Sequence, residues 1–162
     1  MPILSPQEAF FQAFEPLQVN RFRCIVDGFE PFVIKSIKIP TPVSSEIVID
    51  HINVQFKVKS KTVWSNDWEM GLYVPISPDS SQSVFEWIRL GHESLSGRDG
   101  YSDYYKKQIS VEILSPVLEV VNKYTIYGAW IKTVGGLDFD MASEGMVNLT
   151  ITGACDYCIK EF

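Results

Sequence analysis

Histidine and cysteine are scarce in this chain: His51 and His92 are its two histidines, and Cys24, Cys155 and Cys158 its three cysteines. Neither histidine has a second ligand at metal spacing, so no zinc-type site is expected. Asp50 beside His51 reads as a solvated or locally hydrogen-bonded pair. An odd cysteine count without a secretory leader does not make a disulfide framework. Cys155-x-x-Cys158 lacks a second pair, and residues three apart on a strand point to opposite faces, so it reads as two unlinked thiols. A Gly-x-Ser-x-Gly elbow is missing. Gly97-Arg98-Asp99-Gly100 lacks the spacing and the lysine of a phosphate-binding loop and reads as surface. Asp138, Asp140 and Glu144 form the best carboxylate cluster, but without the third Asp/Asn and the glycine of a calcium loop. Asn148-Leu149-Thr150 fits a glycosylation pattern only inside a predicted strand. No catalytic residue, metal or cofactor is therefore assigned.

Other absences bound the class. No apolar run approaches the ~18 residues of a membrane-crossing helix. The N-terminus lacks a basic segment followed by a long apolar one, so a secretory signal is not expected and the protein should stay in a cytosol until assembled or released. Basic residues are outnumbered, 14 against 20 acidic, for a net charge of −6. That excludes a general nucleic-acid binder with its basic stripe, though not a surface that DNA passes without sticking.

Apolar residues and turn signals are plentiful. Hydrophobic residues make up 46% of the chain and aromatics 13%, which suits a single β-rich domain spanning residues 1–162. Ser5, Pro6 and Glu8 form a helix start, with Phe10, Phe11 and Phe14 on one side and Pro16 as the stop. This segment, residues 1–18, reads equally as a helix packed on its own domain or as an arm docking on a neighbour. A β core follows over residues 19–158, then a C-terminal tail, 159–162. Asn20–Asp27 and Pro31–Ile39 read as a hairpin about Gly28, and Glu46–Ile49 as a short strand. From residue 52 to 61 the alternation is clean: Ile52, Val54, Phe56 and Val58 share one face, and Asn53, Gln55, Lys57 and Lys59 the other. Trp68, Met70, Leu72 and Val74 line up on one side of the next strand. Asp79 with Gln82 three residues on caps a helix through Val84, Phe85 and Ile88, with Gly91 at its C-cap. Residues 92–102 read as a loop. Ile109, Val111 and Ile113 then alternate with Gln108, Ser110 and Glu112. Last come a strand carrying Tyr124, Ile126, Trp130 and Ile131, a Gly135-Gly136 turn, a short acidic strand, and a strand in which Val147, Leu149 and Ile151 alternate with polar residues. The residues alone thus give an antiparallel β domain with one internal helix and an N-terminal helix or arm, whose sheet edges need partners.

The ordered run Asn66-Asp67-Trp68, Phe85-Glu86-Trp87, Tyr105-Lys106-Lys107, Gly128-Ala129-Trp130, Val134-Gly135-Gly136-Leu137-Asp138, Leu149-Thr150-Ile151-Thr152 and Asp156-Tyr157 resembles the tail tube proteins of contractile-tailed bacteriophages, from about Asn20 to Tyr157. The resemblance implies a mainly β fold of two packed antiparallel sheets, a sandwich or barrel. It implies homo-hexameric rings that stack into a hollow tube, and a structural, non-enzymatic role as a DNA conduit in a virion tail assembled in the host cytoplasm. The implied partners are the sheath protein, baseplate, initiator and terminator proteins, and the tape measure protein and genomic DNA in the lumen. The related alternatives are the inner tube of a type VI secretion (Hcp) or tailocin-like device and a baseplate tube initiator. A small monomeric ligand-binding β-barrel is the alternative from another class. The candidate channel lining is Asn53, Gln55, Lys57, Lys59, Gln108, Ser110, Glu112 and Glu119, with the lysines expected to pair with carboxylates or to turn toward a subunit boundary. Phe10, Phe11 and Phe14 are candidate inter-ring contacts, and Cys24, Cys155 or Cys158 a candidate for an intersubunit disulfide.

Overall fold

The structure, a computed structural model, describes residues 15–64 and 66–162. The phenylalanines Phe10, Phe11 and Phe14 lie outside the described residues.

Among the described residues, eleven strands and two helices follow in order. They are β1 (Phe22–Val26), β2 (Ile34–Lys38), β3 (Val43–His51), β4 (Val54–Val63), β5 (Trp68–Tyr73), helix α1 (Ser80–Gly91), β6 (His92–Glu93), β7 (Arg98–Asp99), the short helix α2 (Ser102–Tyr105), β8 (Lys107–Leu114), β9 (Val120–Gly135), β10 (Asn148–Ala154) and β11 (Tyr157–Lys160). Seven strands form one antiparallel sheet in the order β1-β8-β9-β10-β5-β2, with β11 also on β9. The sheet folds over on itself because β9 is long and bends. Its first half pairs with β8 and β11, and its second half with β10. The bend sits at Gly128, whose φ of 66° is open to glycine and costly for other residues. Opposite it, β10 and β11 run as one interrupted strand along β9, broken at Cys155-Asp156. The two halves pack face to face but do not close, since among the described residues β1 and β2 remain as unpaired edges.

The core lies between the halves. Trp68, Met70 and Leu72 from β5, Ile109 from β8, Ile126 from β9, and Leu149 and Ile151 from β10 are fully buried. These are the positions whose period-2 spacing predicts one inward face. Helix α1 caps one open end. Asp79 accepts hydrogen bonds from the amides of Ser81 and Gln82, and α1 drives Trp87 against Trp68, ring centroids 5.9 Å apart and nearly parallel. Both indoles are satisfied: Trp68 Nε1 donates to Ala154 O at 2.9 Å and Trp87 Nε1 to Tyr105 O at 2.6 Å.

Several expectations are corrected. β1 and β2 do not pair with each other: β1 joins β8, and β2 joins β5 at the far edge. After Gly28 the chain makes a 3-10 turn, Pro31–Val33, that carries it across the core rather than back along β1. The helix is anchored by Val84 and Trp87, while Phe85 is exposed. Gly91 is its last residue and His92, extended, is the cap. The Tyr105 ring packs over Gly91, 3.5 Å from where a Cβ would be, an ordinary contact distance. The span 92–102 holds the β6–β7 ladder and the start of a second, shorter helix. No strand forms over Leu137–Asp140. The tail boundary at 159 falls inside β11, whose pairing continues through Glu161 N to Lys123 O and Lys123 N to Phe162 O.

Candidate assembly surface

β3 and β4 form a two-stranded sheet of their own, outside the seven-stranded one. Every residue of both strands is exposed except Ser60, which is half-buried. The pairs Ile47–Val58, Ile49–Phe56 and His51–Val54 put one side chain opposite another on a single face. That face is apolar almost throughout, and its Ile49 and Phe56 are 51% and 56% exposed. Glu46–Lys59, Val48–Lys57 and Asp50–Gln55 make the other face. Alternation predicts the two faces correctly. What it does not predict is that the apolar one meets no core among the described residues. A bare two-stranded hairpin is marginal in water, and a contiguous exposed apolar face of this kind marks a contact site. Ile52, expected on the apolar face, is the first residue of the turn, with φ 50° and 91% exposure. A β-branched residue at positive φ is a strained choice where glycine or asparagine would serve.

The candidate lining residues fall in three places. Gln55, Lys57 and Lys59 lie on the polar face of the hairpin, with Asn53 at its turn. Gln108, Ser110 and Glu112 lie on the outward face of β8. Glu119 sits in the β8–β9 turn, its amide donating to Ser115 Oγ at 3.1 Å. The lysines do not meet Glu112 or Glu119 within the chain. Lys57 Nζ instead lies 3.0 Å from Glu46 Oε1, and Glu112 takes Arg23 from the neighbouring β1.

Across the outward face of β1, β8, β9 and the end of β11, charges alternate in a row: Arg23 opposite Glu112, Glu112 opposite Lys123, and Lys123 Nζ 3.2 Å from Glu161 Oε2. Glu161 also accepts from Thr125 Oγ1 at 2.5 Å, and these two contacts, Thr125 first, hold its carboxyl below its ordinary range. Opposite charges on facing strands attract, and with two cations, Arg23 and Lys123, against two carboxylates, Glu112 and Glu161, the row is neutral. On the hairpin, Glu46 and Asp50 offset Lys57 and Lys59 in the same way.

The chemistry of the remaining surface is sparse. A cleft of about 420 Å³ lies between α1 and the sheet, lined by Trp87, Ile88, Tyr105, Trp130 and Ile131. On its rim His92 Nδ1 lies 2.7 Å from Asp99 Oδ1, both side chains more than half exposed. Among the described residues, no serine, threonine or cysteine lines the cleft to act as a nucleophile beside that pair. Among the described residues there is no metal-ligating cluster and no helix long and apolar enough to cross a membrane. All three thiols are free. Burial pushes Cys24 up to about 12 and Cys155 to about 11, and raises Cys158 as well.

This bent, open sheet with its capping helix and projecting hairpin is the fold of chains from contractile injection systems. A chain of the sheath/tube terminator of the extracellular contractile injection system PVC, in the extended state, has it with a TM-score of 0.74 and 19% identity over 93% of this chain and 100% of that one. A chain of the anti-feeding prophage cap, a tube-terminating cap, matches with a TM-score of 0.73 and 17% identity, over 93% of each chain. A chain of the PVC sheath-tube complex in the extended state matches at 0.72 and 19%, over 92% of this chain and 93% of that one. No protein family profile and no curated protein sequence matches the chain.

Proposed function

We propose that this chain is a structural subunit of the hollow inner tube of a contractile apparatus, in its specific form the tail tube of a contractile-tailed bacteriophage, built from stacked homo-hexameric rings. The observation that carries the proposal is the β3–β4 hairpin, whose apolar face is left uncovered by the described residues of its own chain. Sheet edges β1 and β2 are unpaired among the described residues as well, and rings of identical copies are a direct way to satisfy both. The fold likeness supports the same reading. The role asks for no catalysis. It asks for a rigid wall and a bore that lets cargo through, and both candidate lining faces carry balanced charges that would leave DNA phosphates ungripped. The partners would be the sheath outside, initiator, terminator and baseplate proteins at the ends, and tape measure protein and genomic DNA within, all in a virion tail.

A second reading is the inner tube of an injection system that carries no genome. The solved chains with this fold favour it, since they come from an extracellular contractile injection system and an anti-feeding prophage. Negative-stain microscopy of the purified chain tests the tube itself: long hollow cylinders are expected, and dispersed compact particles would overturn it. Native particles isolated through a tag on this chain separate the two readings, by DNA-filled heads on the tubes or headless sheathed tubes.

A further inference from the structure

The seam of the sheet holds a groove where the chain enters the fold. Between β1 and β2 about 440 Å³ lies open, lined by Phe22, Val111, Ile113, Ile37 and Ile39. Leu17 and Val19, both exposed, stand at its wall, and Arg21 and Lys35 at its lip. Arg21 N donates to Gln18 O at 3.2 Å, which turns residues 18–21, and Arg21 O accepts from Leu114 N at 2.9 Å at the end of β8. The Arg21 guanidinium reaches back to Glu15, Nη1 to Oε1 3.6 Å. Glu15, the first described residue, is thereby tied to the lip. Phe14 precedes it by one peptide, about 3.8 Å between Cα atoms, so an aromatic ring is delivered to the groove by the covalent chain itself.

We propose that residues 1–14 lie over the β1/β2 seam of their own chain, with Phe10, Phe11 and Phe14 turned into the groove. The sequence predicts a helix there with these three rings on one side, an apolar face that needs an apolar seat. The seam is the seat at hand, since residues 15–21 line neither the α1 cleft nor the hairpin face. No linker separates segment and groove, so the two meet at an effective concentration in about the millimolar range. A second copy at lower concentration is outcompeted. Charge agrees as well. Glu8 is the one charged side chain among residues 1–14, and of the two cations at the lip Arg21 is taken by Glu15, which leaves Lys35 for Glu8. The inference does not rest on the tube reading. It adds a guard to the free chain: a helix or loop laid over sheet edges blocks indiscriminate edge-to-edge pairing.

The test follows the thiol introduced by Ile39→Cys, in a Cys155→Ser background, on the full chain kept unassembled by dilution. Labelling of position 39 with N-ethylmaleimide is read by peptide mass spectrometry. Docking should slow it about tenfold or more against the same chain carrying Phe10→Ser, Phe11→Ser and Phe14→Ser, because only the undocked fraction reacts. Equal rates in the two folded chains overturn the proposal. Protection that fades on further dilution gives the groove to another copy and overturns it as well. If the triple variant loses the parent's circular dichroism, Phe14→Ser alone takes its place with the same outcomes. The rates are read on single chains, so the presence or absence of tubes is decided separately by microscopy.

Discussion

Lys106 Nζ lies 2.8 Å from Asp156 Oδ1 and 3.0 Å from Oδ2, spanning the corner where β9 turns from one half of the sheet to the other. Asp156 occupies the break between β10 and β11, and its amide donates to Tyr127 O at 2.9 Å. The carboxylate also fills the space beside Gly128. One residue thus ties the helix-side loop, the bend and the strand break together. The two halves of the sheet meet at the angle this corner sets.

Gly128→Ala should be among the more damaging single-methyl changes in the chain. The added Cβ would stand 2.1 Å from Asp156 Oδ2, and φ is 66°. The left-handed conformation alone costs about 1–2 kcal/mol for a residue with a Cβ. Displacing Asp156 adds the loss of its bond to Lys106. Urea denaturation should show the single variant destabilised by about 2 kcal/mol or more. Adding Asp156→Ala should cost less than the sum of the two single changes, because the contacts with the carboxylate at 2.1 and 2.5 Å are then gone and only the Cβ at 3.1 Å remains. Strict additivity would mean that the side chain of Asp156 is not what crowds the corner.

The same corner sets an alkaline limit. The hydrogen bond from Lys106 to Asp156 is the main cause that raises the lysine above its ordinary value of 10.5. A raised lysine contributes stability that is whole below the unfolded value and lost as pH climbs through the folded one. Stability should therefore fall above about pH 10.5, and less steeply in Lys106→Met. Glu161 runs the opposite way. Its carboxyl is held below its ordinary value of 4.5 by Thr125 and Lys123, so its contribution is whole above that value and lost on acidification. Glu161→Gln should flatten the acid limb of a stability-against-pH curve and leave the alkaline limb unchanged.

Much of this fold is legible in the residues where one face is buried and the other wet. Trp68/Met70/Leu72, Ile109/Val111 and Leu149/Ile151 announce β5, β8 and β10, because alternation is what a half-buried strand requires. Asp79 announces the start of α1 for an equally local reason. What is not legible is partner choice. β1 and β2 look like a hairpin because Gly28 lies between them, yet they end on opposite edges, a matter of long-range pairing. The hairpin faces show the deeper limit. Ile47, Ile49, Phe56 and Val58 carry the same period-2 signal as a core strand, and periodicity cannot tell whether the apolar partner belongs to the same chain or another. The candidate lining residues share that ambiguity, since a wet face looks alike whether it meets bulk water or a bore.

The thiols should be sluggish in the isolated chain. The thiolate is the reactive form, and at pH 8 a thiol raised to about 11 is ionised to roughly one part in a thousand. Cys24, 1% exposed, should label last with iodoacetamide, and Cys155, half-buried, first. All three should label promptly in guanidinium. If particles in an oxidising medium form an intersubunit disulfide, the accessible partner is Cys155, and Cys155→Ser should remove the dimer band on a non-reducing gel. Monomer bands alone would rule the bridge out.

Ile52 gives the sharpest contrast between the chain alone and the chain assembled. In the monomer its side chain is 91% exposed, and its φ of 50° is unsuited to a β-branched residue. Ile52→Gly removes a left-handed penalty of about 1–2 kcal/mol and brings back roughly 0.5–1 kcal/mol of unfolded-state entropy. The isolated domain should then be unchanged or slightly more stable, and the β3 and β4 amides should exchange more slowly. An exposed isoleucine contributes little packing to lose. In tubes the sign should reverse. If the hairpin tip is buried against a neighbour, the lost side chain forfeits about 1.5–3 kcal/mol per contact, and the critical concentration for assembly should rise at least tenfold. Hydrogen exchange on monomers and sedimentation of tubes measure the two sides. A variant that steadies the hairpin and assembles as well as the parent would show that the strained turn is not held for contact with another copy.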